Sequence, residues 1–585
     1  MTSQAAKTKG WVIGIAWSIA ILIRALLAWA DRHSVGNDGI HYLDMGDAYW
    51  RGDWPMAINA VWSPFYSWLL GLALLVLQPS SYWEYAVVHL VNLLIYVGTL
   101  GCFEFFLRAL LEYRQEVSHP DNGADGDLGL PEWALRILGY SWFLWSSVVL
   151  MGVPSVTTPD MCVAAVVYLA VGLLLRIRIG DRPQLNFLAL GAVLGVGYLV
   201  KQVLFPLAIV FLAASVFAAR GGGRAVRLTL VAFTVFLVIA GPFIVALSLA
   251  KGRLTFGDAG KITYITTLVN MPYRHWHGAP AGTGIPQHPP RQLLAVPPIY
   301  EYGSPVGGTY PPTYDSSYWY EGAVVKIDLK RQARVFLKNL SEYLKIFFES
   351  RVEIPVGLFI LFYMSGRGWS IVRDLAQYWY LLIPALAALL MYALVYVEGR
   401  YIAPFIVLLN VGLYAGVRLP DSPEGRRLMT CVTIVIVAMT LFSLRPVIVA
   451  AASTTVNSVM SGEGATPNPK WEVADALRRM GVREGAKFAS LEYPGRGKTP
   501  WARLARVQFV AELYDEEGCD LQCPNGQIYK HAFWYADDAL KSRIIQTFRD
   551  SGAEFIVTDG VPRWAMADGW QRVGRTGTFL YSLRR

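Results

Sequence analysis

Long apolar runs alternate with short polar turns through the first 450 residues. The first, Trp11 to Ala30, has the ~20 residues a helix needs to cross a bilayer. Further runs follow at roughly 83–111, 133–151, 160–179, 185–200, 204–219, 228–250, 344–364, 376–397, 402–418 and 429–451. The pattern predicts a polytopic α-helical membrane protein of about eleven spans. Arg24, Trp29, Asp31 and Arg32 occupy the end of the first run, where a cleavable leader has small residues, so a retained helix is expected. The run 62–78 is short, interrupted by Pro64 and ended by Gln78-Pro79. It reads as a re-entrant or interfacial helix.

After about residue 455 hydropathy falls and elements alternate in the α/β manner. Residues 471–480 have helical periodicity, KFASLEY reads as a strand and 539–551 as a helix. AEFIVTD reads as a buried strand, and WQRVGRTGTFLYSLRR as a hairpin with Gly at the turn. Residues 1–454 therefore form a membrane domain, and 455–585 a separate α/β domain.

Composition agrees. Of 585 residues 54% are hydrophobic and 16% charged, against ~25% charged in an ordinary soluble domain. The net charge of +9 is not a nucleic-acid footprint, because the arginines cluster in short loops between apolar runs and form no basic stripe. With Lys7 and Lys9 in the cytoplasm, the alternate loops carry Arg114; Arg176, Arg178 and Arg182; Arg220, Arg224 and Arg227; Arg367 and Arg373; and Arg418, Arg426 and Arg427. Eleven spans satisfy the positive-inside rule at each of these turns, and twelve would not. Residues 31–82, the loop 251–343 and the C-terminal domain then lie outside the cytoplasm, in a plasma or inner membrane.

Cys102, Cys162 and Cys431 sit in spans and read as apolar filler. Cys519 and Cys523, in CDLQC, predict a local disulfide, since no second Cys or His pair stands at zinc spacing. His275, His277 and His288 fit no standard metal spacing, and no cofactor is expected.

The external stretch GNDGIHYLDMGDAYWRGDW, 36–54, interleaves acids with aromatics. Tyr42, Met45 and Tyr49 share one helical face, and Asp47 can pair with Arg51. An amphipathic helix lying in the membrane interface is expected, with Asp44, Asp47 and Asp53 as solvated acids. Asp38 differs, because it follows Gly36-Asn37 directly above the end of the first span. Lys201 and Arg400 also face outward, where the positive-inside rule gives them no role, and Asp160 opens a span from the same side. Ionisable residues at membrane depth are functional candidates. Together these four describe an outward cavity.

At these residues the chain resembles the GT-C integral-membrane glycosyltransferases, in the branch of the protein O-mannosyltransferases and the lipid A aminoarabinose transferase. Asp38-x3-Tyr42, Gly52-Asp53-Trp54 and Trp62-Ser63-Pro64-Phe65-Tyr66 are similar to that branch's first external loop. Asp160 resembles its Thr-Asp, Lys201 its lysine two spans on, and Arg400-Tyr401-x-x-Pro404 its late Arg-Tyr-x-x-Pro. Two departures stand out: Gly39 replaces the Glu after the catalytic Asp, and Ser63 replaces a basic residue.

The resemblance implies transfer of a hexosyl or pentosyl group from a polyprenyl-phosphate carrier to an acceptor hydroxyl on a protein, lipid or glycan, with inversion. It implies Asp38 and Asp160 as catalytic carboxylates, and Lys201, Arg400 or Arg274 at the donor phosphate. Tyr42, Trp62, Tyr66 and Tyr401 would line the substrate pocket. Two other readings stay open: a transporter or flippase of a lipid-linked sugar, and an oligosaccharyltransferase-like enzyme using a divalent metal held by Asp38, Asp160 and Glu398.

Overall fold

The computed structural model describes residues 3–117, 127–152, 157–219, 221–272, 274–302, 305–349, 351–460, 468–514 and 533–584. Each apolar run read from the sequence is helical. Among the described residues, six helices are long and apolar enough to cross a membrane: Ser3–Ala30, Glu84–Val117, Asp160–Ile179, Pro183–Val200, Gly223–Lys251 and Pro423–Met460. The pair Ser370–Ala376 and Trp379–Ala393, bent by 85°, would make a seventh as one broken span. The remaining runs fall on shorter helices. Leu204–Ala218, Glu353–Ser365 and Gly399–Ala415 are of this kind, and Glu132–Trp145 continues into the π-helical turn Ser146–Leu150. By length and composition alone, six or seven of the apolar runs are long enough to cross a membrane, and the others lie on shorter or interrupted helices. The chain is a multi-pass membrane protein.

Nine short strands are described. β1 (Asp127–Gly129) pairs antiparallel with β4 (Arg418–Pro420). The other seven are β2 (Arg291–Leu294), β3 (Ile299–Glu301), β5 (Lys487–Ser490), β6 (Gln508–Leu513), β7 (Phe555–Asp559), β8 (Gln571–Arg572) and β9 (Thr578–Ser582). They form one sheet in the order β2-β3-β6-β5-β7-β9-β8. β5 runs parallel to both β6 and β7, with helices Thr499–Ala505 and Asp538–Asp550 between successive parallel strands. The C-terminal elements read from the sequence are all present. The sheet, however, reaches beyond 455–585: β2 and β3 come from the long loop, and Tyr300 of β3 pairs with Glu512 of β6.

The stretch 36–54 forms the helix Asn37–Arg51. Its aromatic face does not lie in lipid as expected. The helix Pro64–Leu77 covers it, with Tyr42 edge-on to Tyr66 at 5.1 Å and Tyr49 edge-on to Trp68 at 5.7 Å. Gly46 makes the close approach possible, since a Cβ there would stand 2.9 Å from the Ser67 carbonyl oxygen. One apolar core then runs from Tyr42 and Met45 through Tyr310 of the long loop to Phe488 and Trp501 below the sheet. The soluble and membrane parts share a core.

Acids Asp44 and Asp47 are not solvated either. Asp44 is buried and accepts hydrogen bonds from the Thr309 backbone N–H at 2.7 Å and from its hydroxyl at 3.1 Å. Arg503 of the C-terminal domain lies 2.8 Å from Asp44, 2.6 Å from Asp47 and 2.9 Å from Glu84. Asp47 still reaches Arg51, at 4.0 Å. Asp44 and Asp47 are docking groups.

Candidate functional site

Four helix ends bring Asp38, Asp160, Lys201 and Arg400 together. Asp38 is the second residue of helix Asn37–Arg51, Asp160 the first of Asp160–Ile179, and Arg400 the second of Gly399–Ala415. Lys201 follows Pro183–Val200 as its C-cap, and its extended backbone (φ −158°, ψ 130°) turns the side chain off the helix axis.

Their contacts form one connected cluster. The Arg400 Nη1 donates to Asp38 Oδ2 at 3.2 Å, and its Nε donates to Glu398 Oε1 at 2.8 Å. The same Nε stands 3.8 Å from Asp160. Lys201 Nζ donates to Asp160 Oδ1 at 2.5 Å, and the Thr158 hydroxyl donates to Oδ2 at 2.7 Å. Tyr401 lies under both cations, its ring centre 3.8 Å from Lys201 Nζ and 5.0 Å from Arg400 Cζ. Exposure separates the two aspartates. The Asp160 side chain is 5% exposed and Asp38 39%, so Asp160 is locked while Asp38 is open to approach.

Gly39 accounts for one departure from the family pattern. A Cβ at this position would lie 1.8 Å from the Thr157 hydroxyl oxygen and 2.7 Å from Val35 Cγ1. Only hydrogen lets the first turn of the Asp38 helix pack on the segment leading to Asp160. A glutamate here, as in the resembled motif, would have to displace the Thr157 and Val35 side chains.

An aromatic wall adjoins the cluster. Tyr42 is buried and meets Trp62 edge-on at 5.2 Å, and the Tyr66 hydroxyl donates to Asn92 at 2.7 Å. Burial, and after it the charge of Asp38, pushes the Tyr42 phenol well above its ordinary range, so it stays a neutral hydroxyl. Ser63 is a buried N-cap residue of helix Pro64–Leu77 and carries no charge to the site.

Arg274 does not join this cluster. Its guanidinium is buried in the α/β domain 2.9 Å from Glu512 and 3.6 Å from the centre of the Tyr493 ring. A buried carboxylate on β6 needs that cation, which explains the placement. Burial would raise the Glu512 carboxyl, but Arg274 and the hydrogen-bonded His275 outweigh it and hold it below the usual range. His275 is thereby engaged with Glu512 at 2.6 Å, and His288 with Glu321 at 2.7 Å. The carboxylates of the site likewise face cations: Asp38 and Glu398 meet Arg400, and Asp160 meets Lys201. Among the described residues no group of three or more His, Cys, Asp or Glu is arranged to hold a metal ion. Cys519 and Cys523 lie outside the described residues.

No protein-family model matches the sequence, and no curated protein does. Solved structures do. ArnT from Cupriavidus metallidurans in the apo state matches over 99% of both chains at 14% identity, with a TM-score of 0.53. The same protein bound to undecaprenyl phosphate matches over 98% of this chain and 99% of that one, at 14% identity and a TM-score of 0.50. The oligosaccharyltransferase AglB from Archaeoglobus fulgidus, in complex with an inhibitory peptide and a dolichol-phosphate, matches over 94% of this chain and 70% of its own. Its identity is 13% and its TM-score 0.50. From the first membrane helix to the last strand of the soluble sheet, this chain has the GT-C fold.

Proposed function

We propose that this chain is a glycosyltransferase that moves a monosaccharide from a polyprenyl-phosphate carrier to an acceptor hydroxyl, at the non-cytoplasmic face of the membrane. One observation carries the reading: Asp38, Asp160, Lys201 and Arg400, spread over 362 residues of sequence, meet in one cluster at the ends of four helices. Three of those ends are N-termini, whose partial positive charge favours a phosphate. ArnT and AglB have each been solved with a polyprenyl phosphate, which supports this donor class. The arginines of the short loops support a cytoplasmic N-terminus and an external C-terminal domain.

The chemistry is a single displacement. The acceptor oxygen bonds to the anomeric carbon as the bond from that carbon to the phosphate oxygen breaks, with inversion. The hydroxyl proton passes to Asp38, the more open carboxylate. The carrier leaves as a polyprenyl monophosphate, whose growing charge is met by Arg400 and Lys201. Asp160 acts through Lys201: bonded to both that ammonium and Thr158, it fixes where the charge sits. Arg400 is shared by Asp38 and Glu398, so a bound phosphate would compete with Asp38 for the guanidinium and leave its carboxylate free for the proton. Trp62, only partly buried, offers an aromatic face to the sugar, whereas Tyr42 and Tyr66 are buried behind it and the Tyr401 ring is taken up by Lys201 and Tyr392.

The test is transfer by the purified full-length protein in vesicles, with a polyprenyl phosphate labelled in its hexose or pentose. Release of polyprenyl phosphate with label appearing in an acceptor is expected. Movement of intact lipid-linked sugar across the bilayer, with the sugar–phosphate bond unbroken, would sink the reading in favour of a flippase.

A further inference from the structure

The side chain before Asp38 is held by the soluble domain. Asn37 opens the helix Asn37–Arg51, and the preceding N-cap is Gly36, which offers no side-chain cap. The Thr499 hydroxyl donates to Asn37 Oδ1 at 2.6 Å, and Asn37 Nδ2 donates to the Gly495 carbonyl. Both ends of the amide are thus engaged by a loop some 460 residues away.

That loop has a defined place in the α/β domain. It leaves the carboxyl end of β5, the central parallel strand. From β5 the chain passes through helix Thr499–Ala505 to β6 on one side, and later returns as β7 on the other. The crevice at such a reversal of strand order is where open α/β sheets bind their ligands. Here the reversal loop takes a side chain of the membrane domain.

The loop is rigidly built for this. Lys498 is 1% exposed, donating to Asp559 at 2.5 Å and lying 3.1 Å from Glu492. Glu492 in turn accepts from the Thr558 hydroxyl at 2.6 Å and the Asp559 backbone N–H at 3.0 Å, tying the ends of β5 and β7 together. Lys470 donates to the Gly497 carbonyl at 2.8 Å. Just beyond the loop, Tyr85 donates to the Pro500 carbonyl and Arg503 grips Asp44, Asp47 and Glu84.

We propose that the C-terminal domain is a working part of the active site: its reversal loop clamps Asn37, which fixes the first turn of the helix and aims Asp38. Asn37 and Thr499 are positioning residues, and the inference rests on Asp38 being the base of the proposed transfer. Misplacing a reacting group by about 1 Å can cost on the order of 10²-fold in rate, so loss of one clamp bond has a kinetic signature.

Two substitutions in the full-length protein separate positioning from packing. Thr499→Val removes the hydroxyl at near-constant volume, whereas Thr499→Ser keeps it. Thr499→Val is expected to lower kcat by about tenfold or more at unchanged donor KM, with Thr499→Ser close to wild type. A second readout needs no activity. In an Asp38→Cys background, a water-soluble maleimide should label position 38 several-fold faster when Thr499→Val is added. Unchanged kcat and unchanged labelling in Thr499→Val would overturn the clamp, as would equal losses in the Val and Ser variants. A wild-type protein that transfers sugar from no polyprenyl phosphate would instead sink the proposed function, and the labelling rates alone would then decide the clamp.

Discussion

Asp44 and Arg503, 459 residues apart, form a buried ion pair at 2.8 Å with side chains 8% and 4% exposed. The guanidinium also serves Asp47 and Glu84, and Arg506 reaches Glu84 at 2.6 Å. The pair joins the helix that carries Asp38 to the soluble domain. Burial would lower Arg503, but three carboxylates outweigh it and hold it charged.

Arg503→Met should therefore loosen this joint. Removing one partner of a buried network leaves charges uncompensated and typically costs about 3–5 kcal/mol. The expected outcome is a lower Tm of the purified protein and faster proteolytic release of the C-terminal domain. Wild-type values for both would show that the shared apolar core holds the domains unaided.

Acid should loosen the same interface through His33. Asn468 Oδ1 caps the helix Pro469–Arg479, accepting from the Trp471 N–H at 3.1 Å. Its amide nitrogen must then face His33 Nδ1, 3.1 Å away, which makes His33 a neutral acceptor. Burial, then the charges of Arg32 and His89, pushes this imidazole down to about 4. The unfolded chain, with a value of about 6.5, binds the extra proton between these limits. Stability from His33 is thus fully present above pH ~6.5 and is lost as pH falls toward about 4. The Tm should drop between pH 7 and 5, and less steeply in His33→Gln. Equal slopes would remove His33 as a cause.

Much of this was readable from local pattern. Runs of about 20 apolar residues mark spans whatever their partners, and outward cations stand out because topology gives Lys201 and Arg400 no other role. What could not be read depends on distant partners. Asp44 looks solvated until Arg503 is placed against it, and Arg274 looks available until β6 brings Glu512 beneath it. β2 and β3 are only three or four residues long within a Pro- and Gly-rich loop, too short for a period of two to register. Gly39 read as a lost carboxylate, and its purpose shows only when Thr157 stands 1.8 Å from the missing Cβ.

The proposed orientation rests on the arginine loops and has a direct check. Ser542 is exposed on the helix Asp538–Asp550. Ser542→Cys should react with a membrane-impermeant thiol reagent in intact cells. Labelling only after lysis would place the soluble domain, and the Asp38 cluster with it, in the cytoplasm.

Arg400 and Arg426 should differ although both are surface-proximal arginines. Arg426 pairs with Asp421 at 2.6 Å with both side chains well exposed, a contact worth at most about 1 kcal/mol. Arg400 is 15% exposed within the cluster. Arg400→Ala should lower kcat/KM for the donor by about 10²–10³-fold, the loss expected for one preplaced charge donor. Arg400→Lys should recover part of it, keeping charge but not the two-pronged fork. Arg426→Ala should match wild type in the same assay. Similar losses from Arg400→Ala and Arg426→Ala would make Arg400 structural.

Asp38→Asn is the most direct test of the chemistry. The amide keeps the size of the carboxyl and can still accept from Arg400, so the helix start should hold its place. It cannot take the acceptor proton. General-base loss costs about 10²–10⁴-fold in rate, so transfer should fall by that amount while the protein folds, inserts and binds carrier lipid. Asp160→Asn should behave differently. That residue is 5% exposed and bonded to Lys201, so its loss disturbs the ammonium and should weaken donor binding as well as turnover. Asp53→Asn serves as the control, because Asp53 makes no side-chain cap bond to the short helix it precedes. Near-normal transfer by purified Asp38→Asn would remove Asp38 as the base. A loss confined to kcat in Asp160→Asn would then point to Asp160 as the group that takes the proton.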